Sequence, residues 1–428
     1  MKTVADLHIH SKYSRACSKD LELPNIAKAC ERKGIDVVST GDFTHPAWFA
    51  SIQEHLRESA EGIFVLRDGS SSTKFILGTE LACIYKHRDA VRRLHLCVFA
   101  PSLAAVAQLN KKLEERGCNL RSDGRPILGL SAKVLLQIML DIDPRFMMVP
   151  AHAWTPWFAV FGSKSGYDTL EECFEELTPH IRAIETGLSS DPLMNRRLSM
   201  LDGISLISNS DAHSLEKLGR EANVFDVETI TYSAITDAIA SGVRGLRSLG
   251  PSGTRAKFSY TIEFYPEEGK YHFDGHRDCR VSLHPQASAR LGERCPKCKK
   301  PLTIGVMSRV EELADRKEEE VPMEKFVGYK KIVPLAEIIA CVEGVGAASK
   351  KVRAVYDQLV RDVGNEFHVL LDTPREAIAE SVGQAIADAV TRVREGTITV
   401  EPGYDGVYGK VTIMSENERK KNRQQTFL

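Results

Sequence analysis

No apolar run in this 428-residue chain is long enough to span a membrane. The start also lacks the apolar core of a secretory signal. The reading is a cytoplasmic protein with no membrane partner. Net charge is nearly absent: 57 Lys+Arg against 58 Asp+Glu leave −1. The chain as a whole is no polycation, although a local basic surface would still serve a nucleic acid. There is no internal repeat and no low-complexity tract. A disulfide framework is missing too. Cys17, Cys30, Cys83, Cys97, Cys118, Cys173 and Cys341 are scattered and read as reduced core residues.

What is present is ordinary for a globular protein, at 43% hydrophobic and 27% charged residues. The length exceeds one small core and suggests two or three domains. Strand and helix patterns alternate over roughly the first 250 residues. Strands are expected at 4–9, 36–40, 75–77, 94–99, 146–149, 181–184 and 204–207, with helices over 23–32, 103–116 and 132–140. Continuous apolar strands joined by helices predict a parallel sheet covered on both sides.

The polar residues share one position. His8 and His10 close the first strand and point to one side of it. Asp42 and His45 follow the second, Glu80 follows the third, and His152, Glu185, Asp211 and His213 follow later ones. His95 lies inside its strand and must face inward to act as a ligand. In a β/α barrel the C-terminal rim is where such loops converge. Imidazoles with carboxylates suit zinc, manganese or iron, and a bridging Glu can hold two ions.

Asp6-Leu7-His8-Ile9-His10-Ser11, Gly78-Thr79-Glu80, His152 and Ser210-Asp211-Ala212-His213 resemble the motifs of the PHP (polymerase and histidinol phosphatase) superfamily. That resemblance implies an α/β fold, a distorted (β/α)7 barrel, and phosphoester hydrolysis at two or three divalent ions (Zn2+, Mn2+ or Mg2+). It implies that His8, His10, Glu80 and Asp211 hold one ion, and that Glu80, His95 and His152 hold a second. His213 with His45 or Asp42 would hold a third. Tyr13, Ser14, Arg15 and Phe43 depart from the family pattern at that third site, so its ion is expected to be weak, or absent until phosphate binds. Lys12 and Arg15 are placed either to touch phosphate or to sit as solvated loop charges. The loop 154–161, with Trp154 and Trp157, either stacks on a base or packs as a hydrophobic lid.

Three domains are expected, at 1–250, 251–325 and 326–428. The signal Gly250-Pro251-Ser252-Gly253 marks the first linker. His276-x-x-Cys279 and Cys295-x-x-Cys298 have the spacing of a closed tetrahedral site for one structural Zn2+, with His272 and His284 as alternatives to His276. The arginines and lysines around it, with few acids between them, suit nucleic-acid phosphate, with a solvated surface as the alternative. A helix over 335–341, then Gly344-Val345-Gly346 and a second helix, resembles a helix-hairpin-helix, which offers backbone N–H groups to DNA phosphate. A further helix is expected over 376–394. Residues 402–410 resemble the tail of superfamily 1 DNA helicases. The charged stretch 416–423 reads as disordered, and the closing Gln424-Gln425-Thr426-Phe427-Leu428 resembles a truncated sliding-clamp peptide or a frayed end.

Taken together, barrel, zinc-binding module and helical C-terminal module resemble the endonuclease Q family. The resemblance implies a DNA repair endonuclease that nicks 5′ to deaminated bases (uracil, hypoxanthine, xanthine) and at abasic sites. It would turn the lesion out of the stack into a pocket, with residues 70–73 and 154–161 as candidate walls.

Overall fold

The computed structural model describes residues 1–242, 248–249, 255–415 and 418–419. The expected linker at 250–253, most of the charged stretch 416–423 and the tail 424–428 lie outside the described residues.

Numbered in chain order, the strands of the N-terminal body are β1 (Lys2–Asp6), β2 (Val37–Ser39), β3 (Leu56–Ala60), β4 (Ile63–Leu66), β5 (Lys74–Ile76), β6 (Gly78–His87), β7 (Ala90–Phe99), β8 (Ile127–Leu128), β9 (Met147–Pro150), β10 (Ala183–Glu185), β11 (Ser205–Ile207), β12 (Ala222–Val227), β13 (Ser248–Leu249) and β14 (Arg255–Glu263). The largest sheet runs β13-β14-β12-β1-β2-β5-β4-β3. A second runs β8-β6-β7-β9, and β10 pairs with β11. Alternate residues from all three, including Ala5, Leu7, Val37, Cys97, Val149 and Ile207, share one buried apolar cluster. The period-2 alternation of strand side chains places them there.

The expected all-parallel pairing is corrected. β1–β2, β2–β5, β6–β8 and β10–β11 are parallel. β1–β12, β12–β14, β3–β4–β5, β6–β7 and β7–β9 are antiparallel. The physical reason is clearest at β6–β7. Arg88 and Asp89 both take left-handed φ, 49° and 62°, in a two-residue turn. Such a turn can only fold the chain back on itself. Its lack of Gly or Asn hides it in the sequence. Glu80 therefore sits within a ten-residue strand and not in a rim loop. The body also extends past the expected boundary at 250, because β14 pairs with β12 along its length.

Helices follow their local signals. Leu23–Lys33 opens on Pro24 and ends at Gly34, whose φ is 88°. Pro46–His55 is a helix that starts immediately after His45. In the C-terminal part, Leu335–Glu343 ends on left-handed Gly344, and Lys350–Asp362 begins with the Ser349 hydroxyl accepting from Val352 N–H. The helix expected over 376–394 is two, Arg375–Val382 and Gln384–Arg394, broken at Gly383 with φ 96°. Among the described residues no helix is long and apolar enough to cross a membrane.

Candidate metal centre

Three pieces of backbone bring the ligands together. β1 stops at Asp6, three residues earlier than its apolar pattern suggests. Ile9 bridges Ala212, and His10 N–H donates to Ala212 O at 3.1 Å. Asp6 accepts from the N–H groups of Ser210 and Gly219, and Asn209 accepts from Leu7 N–H, which fastens the 208–219 loop beside the first motif. In β6–β7, pairing Glu80 with Cys97 and Ala82 with His95 sets Glu80, Cys97 and His95 on one face. His152 stands two residues past the end of β9.

Glu80 divides its two oxygens between two ligand groups. His8 Nε2 and His10 Nε2 lie 3.5 and 3.2 Å from Glu80 Oε2, and 3.7 and 3.1 Å from Asp211 Oδ1. On the other side, His95 Nδ1 and His152 Nε2 lie 2.7 and 3.1 Å from Glu80 Oε1, and 3.2 Å from each other. In each group the ligand atoms fall within 4.8 Å of one another. These are the two sets the sequence resemblance implies. His8 Nε2 is buried and makes no hydrogen bond. A buried ring nitrogen that faces two carboxylates with no hydrogen-bond partner is a group a cation would satisfy, so the residues fit one.

The other ring nitrogens are held from behind. His8 Nδ1 lies 3.0 Å from Glu185 Oε1, and Glu185 also accepts from His152 N–H and Asn209 Nδ2. His10 Nδ1 lies 3.1 Å from Asp42 Oδ1. Donation from Nδ1 leaves Nε2 free to ligate. Burial lowers His95 to about 4 despite Glu80, so it stays neutral at neutral pH. Burial would raise Glu80, yet His95, Arg125 and His8 hold it well below the usual carboxylate range. Asp211 is held low by His10 and His8 against the same burial. Asp42, His152 and Asp211 take left-handed φ of 46°, 29° and 46°, a strained backbone for residues other than glycine. Gly187 makes room for one of them: a Cβ there would sit 2.5 Å from His152 Cβ.

Among the described residues, no group of three or more ligand atoms within 4.8 Å of one another includes His213, His45 or Asp42. Asp42 Oδ2 is already occupied by Ser11 N–H, Ser11 Oγ and Ser14 Oγ at 2.7 to 2.9 Å, so it orients His10. The His45 ring stacks on Tyr13 at 4.3 Å. His213 packs 4.5 Å from the His10 ring and bonds the Asp211 carbonyl.

Other expectations divide. Trp154 is 1% exposed and donates to Asn195, so it belongs to the core and cannot stack on a base; Trp157 is 41% exposed. Residues 70–73 lie at the N-terminal end of β5, away from the rim that carries the ligands, and Ser71 and Ser72 bond Glu31. Lys12 pairs with Glu22 at 2.6 Å, and the Arg15 side chain is exposed, 3.9 Å from Asp123. Sequence reasoning missed Arg125, which donates to Glu80 Oε2 at 2.9 Å, and Asn209. Asn209 adjoins a motif and was visible; Arg125 lies in a loop with no local signal.

In the C-terminal part, His276, Cys279, Cys295 and Cys298 bring four ligand atoms within 4.8 Å of one another. Burial would raise the Cys295 thiol, but the backbone N–H groups of Cys298 and Lys297 draw it down. Of the alternatives to His276, His284 accepts from Gln286 N–H and His272 lies outside the group. Gly344 and Gly346 stand in the loop between the two helices that begin this region's helical module, with open space around Gly346.

Two family models match, one described as PHP-associated at 194–243 and one as the MJ0043 C-terminal domain at 334–397. The uncharacterized protein YqxK of Bacillus subtilis is 30% identical over 96% of this chain and 99% of its own length. The uncharacterized protein MJ0043 of Methanocaldococcus jannaschii is 29% identical over 61% of this chain, which spans 31% of that protein. The crystal structure of the lesion-specific endonuclease PfuEndoQ from Pyrococcus furiosus superposes with TM-score 0.84 at 33% identity, covering 100% of this chain and 99% of that one. A structure of endonuclease Q with a 27-mer duplex carrying an abasic lesion superposes with TM-score 0.82 at 33% identity, covering 97% and 98%. The chain belongs to the endonuclease Q family of the PHP superfamily.

Proposed function

We propose that this chain is a metal-dependent DNA repair endonuclease that hydrolyses the phosphodiester 5′ to a deaminated base (uracil, hypoxanthine or xanthine) or an abasic site. The observation that carries the reading is Glu80, with one oxygen in each of two ligand sets. Bound there, divalent ions (Zn2+, Mn2+ or Mg2+) would activate water at neutral pH and offset charge on the phosphate oxygens. His8, His10, Glu80 and Asp211 would hold one ion, and Glu80, His95 and His152 the other. Asp42 and Glu185 fix the tautomers of His10 and His8. Arg125, already at the Glu80 carboxylate, adds fixed positive charge where a phosphodiester would approach. His276, Cys279, Cys295 and Cys298 would hold a structural Zn2+. Exposed Arg15 and the turn at Gly344 and Gly346 would meet DNA phosphates along the backbone. The three sheets are taken as one distorted (β/α)7 barrel, supported by the interior cluster they share.

The test incubates the purified chain and Mg2+, Mn2+ or Zn2+ with labelled duplexes carrying one deoxyuridine, deoxyinosine or abasic site. A single cut 5′ to the lesion is expected. Asp211→Ala should abolish it while leaving DNA binding within about threefold, since it removes a cation ligand and not a phosphate contact. Hydrolysis of a generic phosphomonoester alone would replace the reading with a small-molecule phosphatase. Binding without nicking would replace it with an inactive scaffold.

A further inference from the structure

Aromatic residues linked by ring contacts and by chain neighbours lead from the metal centre into a second part of the chain. They begin at ligand His95, whose ring lies 4.6 Å from Phe158. Phe158 takes a left-handed φ of 61°, and its neighbour Trp157 is turned outward, 41% exposed. Ligand His152 is 3.2 Å from the Thr155 hydroxyl, which in turn donates to Trp157 O at 2.9 Å, so this loop is tied to the centre.

Trp157 meets Tyr271, from the cysteine-bearing region, at 6.0 Å and 75°. An edge-to-face pair uses one face of one ring and leaves the others open. Lys270 sits between Tyr271 and Tyr408, its Nζ 5.7 and 5.8 Å from their centroids. Among the described residues no carboxylate forms an ion pair with Lys270. Tyr408 is 72% exposed. Its loop is nonetheless pinned: Gly403, Gly406 and Gly409 donate backbone N–H to the carbonyls of Glu267, Lys270 and Glu268. An isolated exposed tyrosine needs no explanation, but neighbouring rings on anchored backbone, around a lysine with no ion-pair partner among the described residues, do.

We propose that Trp157, Lys270, Tyr271 and Tyr408 form a stacking platform for the DNA strand that flanks the lesion, with the rings against bases and the ammonium against a phosphate. This deepens the endonuclease reading and rests on it for the identity of the strand. Stacking on aromatic faces tolerates any sequence, as an enzyme that selects a lesion and not its context requires.

The tryptophans make this testable. Trp48 and Trp154 are each 1% exposed, so emission accessible to a bound ligand comes from Trp157. The full chain, without added divalent metal, is titrated with a single strand and a duplex carrying one tetrahydrofuran abasic analogue. Fluorescence anisotropy of the labelled DNA monitors binding in parallel. Trp157 emission should be quenched at saturation. Trp157→Ala and Tyr408→Ala should each weaken binding about tenfold, with Tyr408→Phe restoring it. Lys270→Gln should lower the slope of log K on log salt by about 1. Thermal unfolding at the wild-type temperature controls for misfolding, and the 72% exposure of Tyr408 leaves little packing to lose. Unchanged emission with DNA bound, or wild-type affinity in both alanine variants, would overturn the platform. Failure of the wild-type chain to nick lesion duplexes would overturn the function reading instead, and quenching by the single strand would still decide the platform.

Discussion

Glu80 is fully buried and faces four imidazoles and one guanidinium through its two oxygens. Replacing it with Gln keeps the shape and removes the charge that both ligand sets share. Glu80→Gln should lose bound divalent metal from both sets, read by mass spectrometry of the desalted protein, and nicking should fall by about 10^3 or more. Asp42 is a different case, because it reaches the centre only through His10. Asp42→Asn should weaken metal affinity by roughly 10 to 100-fold. Raising the metal concentration should restore most of its nicking rate, which a lost direct ligand would not allow. At this scale the legible residues were those whose motif is contiguous. His-x-His shares a side by strand geometry alone, and Ser-Asp-Ala-His follows a strand end. Arg125 was invisible, since its partner is 45 positions away and no periodicity marks it.

Elements decide whether those side chains meet. Gly41 has φ of 62°, and a Cβ there would lie 2.6 Å from the Ile9 carbonyl, inside the first motif. Gly41→Ala should destabilise the fold by about 1–3 kcal/mol and lower metal occupancy at the same time, measured by thermal unfolding with and without added metal. A second device sits at the Pro266–Glu268 turn, where Glu268 feels the charge of Glu337 on the Leu335–Glu343 helix. Burial first, then Glu337, raises Glu268 from 4.5 to about 8, while Lys217 opposes the shift. A carboxyl raised in the folded state favours the fold while protonated, so its contribution is present below pH 4.5 and lost as pH climbs through about 8. Glu268→Gln should therefore match wild type near pH 4.5 and exceed it by about 1–2 kcal/mol above pH 8. Urea unfolding across that range reads the difference; a constant gap would refute the assignment. The helices at 23–33, 103–115 and 132–142 were legible from caps and apolar spacing. The β6–β7 hairpin was not, because Arg88-Asp89 carries no turn signature.

At the scale of the whole molecule, the body and the cysteine-bearing region differ in what holds them. The body has large shared clusters, whereas the buried apolar cluster of the cysteine region contains only Val281, Cys295 and Leu302. So small a core leaves stability to the ligand set. Cys298→Ser, or prolonged chelation, should speed proteolytic cleavage within 277–302 by about tenfold or more while the body resists, as limited digestion and mass mapping would show. From sequence alone came the residue types, the two groups that share Glu80 and the four-residue cysteine–histidine group. Each rests on chemistry or spacing that is local to a few residues. Only the tertiary structure decided that Asp42 orients His10, that Trp154 is core while Trp157 faces outward, and that β14 joins the first sheet. Those outcomes depend on which distant backbone fills the space beside a side chain, and one-dimensional spacing carries no record of that.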